Sequence, residues 1–160
     1  MSGIADSTLE PSDIDLKEIV DQVWESYLDP DGTAPLVLTG TVPEKFDATG
    51  SISITGPWHG HVVVATSLGA ATGAAAAFLA MEPDEVSEED VADALGELVN
   101  IIGGNVKSML PPGCLLALPH VVVATGAVSR WPGATRICEL CGQWRGEPVC
   151  ISLWHEKREG

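Results

Sequence analysis

The pattern of apolar and polar residues predicts a helix, a strand and a loop in the first part of the chain. Apolar side chains recur at helical spacing over residues 12–28, with Ser12 placed as the N-cap and helix-breaking residues at 29–32. The apolar run at residues 35–42 predicts a strand, and the breaker-rich residues 43–50 predict a loop.

A β-hairpin is predicted next. Residues 51–55 alternate between polar and apolar side chains, and residues 61–66 form the returning strand after a turn. Residues 67–80 are dominated by small side chains, which is typical of a helix packed closely against its neighbours. The last part of the chain contains three further strand-like runs, at residues 114–125, 134–143 and 147–156.

The longest predicted helix, residues 87–109, carries two faces of different chemistry. Ser87 is placed as its N-cap, with Asp90 as the capping-box partner. At about 100° per residue, the apolar residues fall in one arc. These are Val91, Leu95, Leu98, Val99, Ile102, Val106 and Met109. The opposite side holds Asp93, Glu97, Asn100 and Gly104, with Gly96 and Gly103 near the edges of this polar stripe.

The glycines in this helix need a physical reason, because each costs about 1 kcal/mol relative to alanine in a helix interior. A helix face without side chains lets another backbone approach closely. The spacing Asp93-x-x-x-Glu97-x-x-Asn100 is therefore interpreted as a row of polar groups facing a docked partner.

Together these elements give the order α-βββ-αα-βββ. This order predicts an α+β fold in which helices pack on a mixed or antiparallel six-stranded sheet. The length suits a single domain over residues 12–160, preceded by a flexible segment at residues 1–11.

Composition narrows the classes of partner. The formal net charge of −15 argues against nucleic acid and against an anionic membrane surface. No apolar run reaches the length of a membrane span, and the amino-terminal residues lack the pattern of a secretory signal. A cytoplasmic protein is expected. The sequence also lacks the common nucleotide-binding and hydrolase motifs.

Two interpretations of the four cysteines are open. Cys138 and Cys141 resemble half of a zinc knuckle, with Cys114 and Cys150 as further ligands. The pair lies within a strand-like run, however, and no second C-x-x-C follows it. Buried thiols in a reducing compartment are therefore favoured, and no metal site is predicted.

His59 and His61 also share one strand face, which is compatible with metal binding. No carboxylate or cysteine is evident close to them in the sequence, so turn and strand-surface positions are favoured.

The run Asp93-x-x-x-Glu97-x-x-Asn100, followed by glycine and then by proline before a β run, resembles the motif of the CheC/CheX/FliY phosphatase family. The likeness is closest to CheX-like domains, because the motif occurs once. The segment that begins Leu118-Pro119 also resembles the strand entry that follows the motif in this family. The element order is similar over most of the chain.

The resemblance implies hydrolysis of the aspartyl phosphate on a CheY-type response-regulator receiver domain. It implies that Asn100 orients the hydrolytic water and that Glu97 docks on the receiver's lysine. The residues that would border the docked receiver are Asp93, Gly96, Gly103 and Gly104. It further implies that this chain binds no cofactor of its own, that Mg²⁺ is held by the receiver, and that the chain forms a homodimer.

Other functions remain open from the residues alone. The same fold is compatible with a non-catalytic module for receiver binding or dimerisation. A domain that binds a small molecule or a metal through its Cys and His residues is a third possibility. The polar stripe is also compatible with an ordinary solvated helix face.

Overall fold

The computed structural model describes residues 10–127 and 133–157. Most of the segment predicted to be flexible, residues 1–9, lies outside these described residues. In the described part, three α-helices are formed: α1 (Asp13–Val23), α2 (Leu68–Leu79) and α3 (Glu88–Lys107). A π-helical turn at Trp24–Leu28 extends α1, and a 3₁₀ turn at Pro83–Glu85 connects α2 to α3.

Seven strands in the described residues form one sheet. They are β1 (Val37–Leu38), β2 (Phe46–Thr55), β3 (Gly60–Thr66), β4 (Leu115–Leu116), β5 (His120–Ala127), β6 (Ala134–Trp144) and β7 (Glu147–Glu156). The order is β1-β6-β7-β3-β2, and both β4 and β5 pair with β2. All of these pairings are antiparallel. The predicted α+β class is confirmed, with an antiparallel rather than a mixed sheet.

The seventh strand arises because the predicted run at 114–125 is interrupted. Pro119 has no backbone N–H to donate to a ladder, so pairing with β2 stops after β4 and resumes at β5. The strand predicted at 35–42 is also shorter than expected, since β1 contains two exposed residues.

The prediction of a loop at residues 43–50 is wrong for its second half. Strand β2 begins at Phe46 and includes Asp47 and Gly50, which are usually turn residues. Asp47 has a tertiary role there, because its carboxylate accepts a hydrogen bond from the backbone N–H of Leu68 at 2.8 Å. Gly50 likewise lies where helix α3 crosses the strand.

The capping box predicted at Ser87 is present, and the predicted N-cap Ser12 also forms one. At the start of α3, the Ser87 hydroxyl accepts from the Asp90 N–H at 3.1 Å, and the Asp90 carboxylate accepts from the Ser87 N–H at 2.9 Å. Ser12 and Asp15 make the same reciprocal contact at the start of α1. Each box satisfies backbone donors that the helix itself leaves unpaired, and a cap of this kind stabilises a helix by about 1 kcal/mol.

The apolar arc of α3 packs against the sheet as predicted, with one exception. The buried members are Val91, Leu95, Leu98, Val99, Ile102 and Val106. Met109 is 36% exposed, because the helix ends at Lys107 and Met109 lies in the following turn. Burying an aliphatic side chain contributes about 1.5–3 kcal/mol, so this arc determines how α3 is rotated on the sheet.

Glycines bring α3 and β2 unusually close together. A Cβ atom on Gly50 would lie 3.2 Å from the carbonyl oxygen of Leu95. A Cβ atom on Gly103 would lie 2.8 Å from Cγ2 of Ile52, which is only 1% exposed. A side chain would therefore be crowded at Gly50 and would displace a core residue at Gly103.

The cysteines are buried, as predicted, but they are not all thiols. Cys141 and Cys150 face each other across β6 and β7 and form a disulfide. Cys114 and Cys138 are free and buried. The Cys138 thiol donates to the carbonyl oxygen of Pro11 at 3.2 Å, and burial, aided by neighbouring carboxylates, raises its pKa to about 12.

Two negative findings concern the described residues. Among them, no group of three or more His, Cys, Asp or Glu side chains is arranged to hold a metal ion. No helix in this part of the chain combines the length and the apolar character needed to cross a membrane.

The close contact between α3 and β2 predicts opposite behaviour for adjacent glycines. A Cβ on Gly104 would meet its nearest neighbour at 4.0 Å, an ordinary contact, whereas one on Gly103 would push against Ile52. Both alanine substitutions gain the same helix propensity. The free energy of unfolding of Gly103→Ala should therefore be lower than that of Gly104→Ala by the cost of overpacking, about 1–3 kcal/mol. Urea unfolding of the two variants measures this difference. Equal stabilities would show that the helix does not approach the sheet this closely.

Candidate functional site

The polar stripe of α3 faces away from the sheet. Asp93, Glu97 and Asn100 are all exposed, at successive turns of the helix. These residues are exposed because the apolar arc on the other side of the helix is buried against the sheet, which turns the polar side toward solvent. The helix therefore presents two carboxylates and one amide along a line on the protein surface.

A shallow groove of about 580 Å³ runs beside this stripe. Its helical wall consists of Ala92, Asp93, Gly96, Glu97 and Asn100. Its other wall is formed by Leu118, Pro119 and Val121, at the entry to β5. One wall is thus acidic and polar, and the other is apolar.

The functional groups in the groove are unengaged. Among the described residues, neither the Asn100 amide nor the Glu97 carboxylate has a hydrogen-bond or ion-pair partner. Asn105, further along α3, behaves differently, since its amide nitrogen donates to the carbonyl oxygen of Ile101 at 2.9 Å. Asn100 therefore keeps both a donor and an acceptor available to a molecule that enters the groove.

The glycines of α3 divide into two groups. Gly96 lines the groove, and a Cβ there would lie 3.7 Å from Val121, which is ordinary contact. Gly104 is half-buried and has similar room. Packing within the chain does not account for either glycine.

Gly103 requires a correction. It was expected to border a docked partner, but it is buried and lies against Ile52 on the inner side of the helix. Its missing side chain serves the contact between α3 and β2, and Gly103 is not part of the exposed surface.

The chemistry that this groove can perform is limited by its side chains. An amide can hold and orient a water molecule, and a carboxylate can bind a cation. The residues that line the groove include no Ser, Cys, His or Lys. The arrangement suits a reaction in which a docked partner brings the reacting group.

A second polar cluster is formed outside the groove by side chains on and beside β2, β3 and β7. The Glu156 carboxylate on β7 is 3.3 Å from Nε2 of His59 and 3.1 Å from Nε2 of His61. Nδ1 of His61 lies 3.0 Å from the Ser53 hydroxyl. The carboxylate that the sequence did not reveal beside the two histidines is thus supplied by a neighbouring strand.

Sequence reasoning did not identify the apolar wall of the groove as part of the site. Leu118 and Pro119 were noted as a strand entry that resembles the family. Their position opposite Glu97 and Asn100 depends on β4 and β5 both pairing with β2, which is a long-range property. The available signal was the proline, which predicts a break in a strand at that point.

The fold and the exposed polar helix define a class of protein. Solved structures with the same architecture include chemotaxis protein CheX from Vibrio vulnificus, with 20% identity, a TM-score of 0.70, and 88% of this chain and 93% of that chain covered. CheX from Desulfovibrio desulfuricans has 18% identity and a TM-score of 0.71, covering 89% of this chain and 97% of that chain. The domain thus has the fold of CheX-like chemotaxis proteins.

Sequence comparison narrows this class to one family. The model of the family described as chemotaxis phosphatase CheX matches residues 48–140, a range that includes most of β2, all of α3 and the groove. The chain belongs to the CheX family of chemotaxis phosphatases. Comparison with curated proteins gives no significant match.

A further solved structure of this fold is described as the CheX-CheY-BeF3-Mg²⁺ complex from Borrelia burgdorferi. Its identity to this chain is 14% and its TM-score is 0.65, covering 89% of this chain and 96% of that chain.

The burial of His61 predicts a specific pH dependence of stability. Burial lowers its pKa below the ordinary value of 6.5, although Glu156 opposes the shift. The unfolded chain then binds more protons than the folded one, so this histidine makes the protein less stable as pH falls through about 6.5. Urea unfolding should show that wild type loses more stability between about pH 7.5 and 5.5 than His61→Asn. Identical losses of stability in the two proteins would show that His61 does not contribute to the loss of stability at low pH.

Proposed function

We propose that this protein hydrolyses the aspartyl phosphate of a CheY-type receiver domain, with Asn100 orienting the hydrolytic water and Glu97 docking on the receiver's lysine. The observation that carries the proposal is the exposed, unengaged pair Glu97 and Asn100 in the groove of a CheX-family domain. The complex of a CheX with CheY supports a CheY-like partner.

The receiver domain would supply most of the catalytic charge. In this proposal it holds Mg²⁺, a lysine and a hydroxyl residue around the phosphoryl group, which together stabilise the charge that develops during transfer. What remains to be supplied is a water molecule held in line with the bond that breaks. Phosphoryl transfer demands little activation of the nucleophile, so orientation alone is a sufficient contribution.

An amide suits this role better than a carboxylate would. Two like charges about 4 Å apart near a protein surface repel by about 4 kcal/mol, so a carboxylate beside the phosphoryl oxygens would be disfavoured. The neutral Asn100 amide avoids this repulsion, and it can accept from the water while donating to an oxygen nearby.

Glu97, in contrast, needs a cation. Together with Asp93 it makes this side of the groove acidic, in a chain whose net charge is already −15. An approaching phosphorylated receiver is itself anionic at its active site, so an ion pair between Glu97 and the receiver's lysine offsets the repulsion and fixes the docking register. Asp93 would lie at the rim of this contact.

Two glycines of α3, one in the groove and one beyond it, complete the proposed docking surface. Gly96 and Gly104 have room for a Cβ in the free chain, yet each costs about 1 kcal/mol of helix stability as glycine. Close approach of the receiver's backbone would explain both.

A homodimer is part of the same proposal. Within the described residues, β5 pairs with β2 on one side and with no strand on the other, which leaves an eight-residue edge. Such an edge favours pairing with another chain. A cytoplasmic location, where the receiver and its Mg²⁺ would be available, is likewise proposed.

Replacing the proposed water-orienting amide should abolish most of the activity. Asn100→Ala should reduce the rate of receiver dephosphorylation at saturating protein by about 100-fold, because the water is no longer positioned. The matched control is Asn105→Ala, which removes an asparagine of the same helix that is bonded to its own backbone. The decay of a phosphorylated receiver measures both variants. Wild-type turnover by Asn100→Ala would exclude this residue from the reaction.

Reversing the charge at Glu97 should weaken docking. Glu97→Lys is expected to raise the dissociation constant for the receiver by about tenfold or more, because two lysines would then face each other. Glu25→Lys is the control, since it makes the same change in net charge at an exposed position on the π-helical turn. Titration of each variant with the receiver gives the constants. An affinity for Glu97→Lys equal to that of the control would contradict the docking role.

A further inference from the structure

The apolar wall of the groove contains a leucine that the chain itself does not cover. Leu118 is 88% exposed, the largest exposed fraction among the large hydrophobic residues of the described part of the chain. Scattered apolar residues are normal on protein surfaces. Leu118 differs because it lines the same groove of about 580 Å³ as Asp93, Glu97 and Asn100 of α3.

The backbone around Leu118 is held in place on both sides. The N–H of Ala117 donates to the carbonyl oxygen of Ser53 at 2.9 Å, which ties the preceding residue to β2. Pro119 follows and restricts the backbone through its ring. His120 then pairs with Ser51 at the start of β5. An exposed leucine on a restrained backbone is preorganised for contact, since little conformational entropy is lost when it is buried.

The two walls of the groove together define what fits between them. The helical wall has Asp93 and Glu97, which favour a positively charged group, and Gly96 leaves the floor open toward Pro119 and Val121. The matching surface on a partner is therefore a cation next to an apolar side chain.

We propose that Leu118 is a docking residue for the phosphorylated receiver, burying its side chain against an apolar residue beside the lysine that Glu97 contacts. The inference rests on the proposed function, because it places the same receiver in the groove. It adds a requirement for the partner: a receiver without an apolar side chain next to that lysine is a poorer substrate. Two features support this occupant over others: Leu118 lines the same groove as Glu97 and Asn100, and the helical wall of that groove is acidic.

Leu118 should affect affinity and not the chemical step. It lies on the wall opposite Asn100 and carries no group that can orient water or stabilise charge. Its contribution is uniform binding, made equally before and during phosphoryl transfer, and loss of such binding raises KM without lowering kcat.

The experiment compares two exposed leucines in the same segment. Leu115 is 66% exposed on β4 but does not line the groove, so Leu115→Ser is a matched control for Leu118→Ser. Dephosphorylation of a phosphorylated receiver is measured over a range of receiver concentrations. We expect Leu118→Ser to raise KM by about tenfold with kcat unchanged, as for an interface anchor, and Leu118→Met to restore most of the affinity. Thermal unfolding checks that each variant is folded.

Each result decides the inference. Wild-type kinetics for Leu118→Ser, or an effect equal to that of Leu115→Ser, would overturn it while leaving the proposed function intact. A loss of kcat at unchanged KM would also overturn it. A change in oligomeric state on sedimentation, with unchanged affinity for the receiver, would assign Leu118 to contact with a second copy of the chain. If the wild-type protein accelerates no receiver, the proposed function fails, and this inference fails with it.

Discussion

The close contact between α3 and β2 is the constraint on which the rest of the structure depends. Where the helix crosses the strand, Gly50 meets the backbone of Leu95 and Gly103 meets Ile52, so that a Cβ would be crowded at Gly50 and would clash at Gly103. The contact fixes the distance of the helix from the sheet, and the buried apolar arc of α3 fixes its rotation. It follows that Glu97 and Asn100 point to solvent, and that the helix backbone that carries them is held by the core beneath it.

This rigidity matters because the groove is chemically incomplete. An amide and a carboxylate on a surface helix have little catalytic capacity alone. In the proposed function they act on a partner that already stabilises the reacting phosphoryl group. The domain then needs to provide orientation, and orientation is lost when a side chain is displaced by about 1 Å. A helix fixed on a seven-stranded sheet meets this demand better than a loop would. The other wall of the groove is also held by the sheet, because the segment from Ala117 to Pro119 is hydrogen-bonded to β2.

Much of the fold was predictable because its signals are local. The period of the apolar residues identified the buried face of α3, and Ser12 and Ser87 identified where two helices begin. The features that were missed are long-range. Gly103 was assigned to the wrong side because a glycine carries no polarity of its own, and only the position of Ile52 reveals its role. The pairing of Cys141 with Cys150, the carboxylate of Glu156 beside two histidines, and the position of Leu118 all depend on strand register. The roles of Glu97 and Asn100 stay predictions, which rest on family membership and on exposure.

The most direct test of the central claim is the decay of a phosphorylated CheY-type receiver with and without a small, substoichiometric amount of this protein. The account predicts that one molecule of the protein dephosphorylates many receivers, so that decay accelerates well above the spontaneous rate. Receivers from the same organism should be tried as a panel, with binding measured in parallel. If a receiver binds in the groove but its phosphorylation decays at the spontaneous rate, catalysis is contradicted. The protein would then be a non-catalytic receiver-binding module of the same fold.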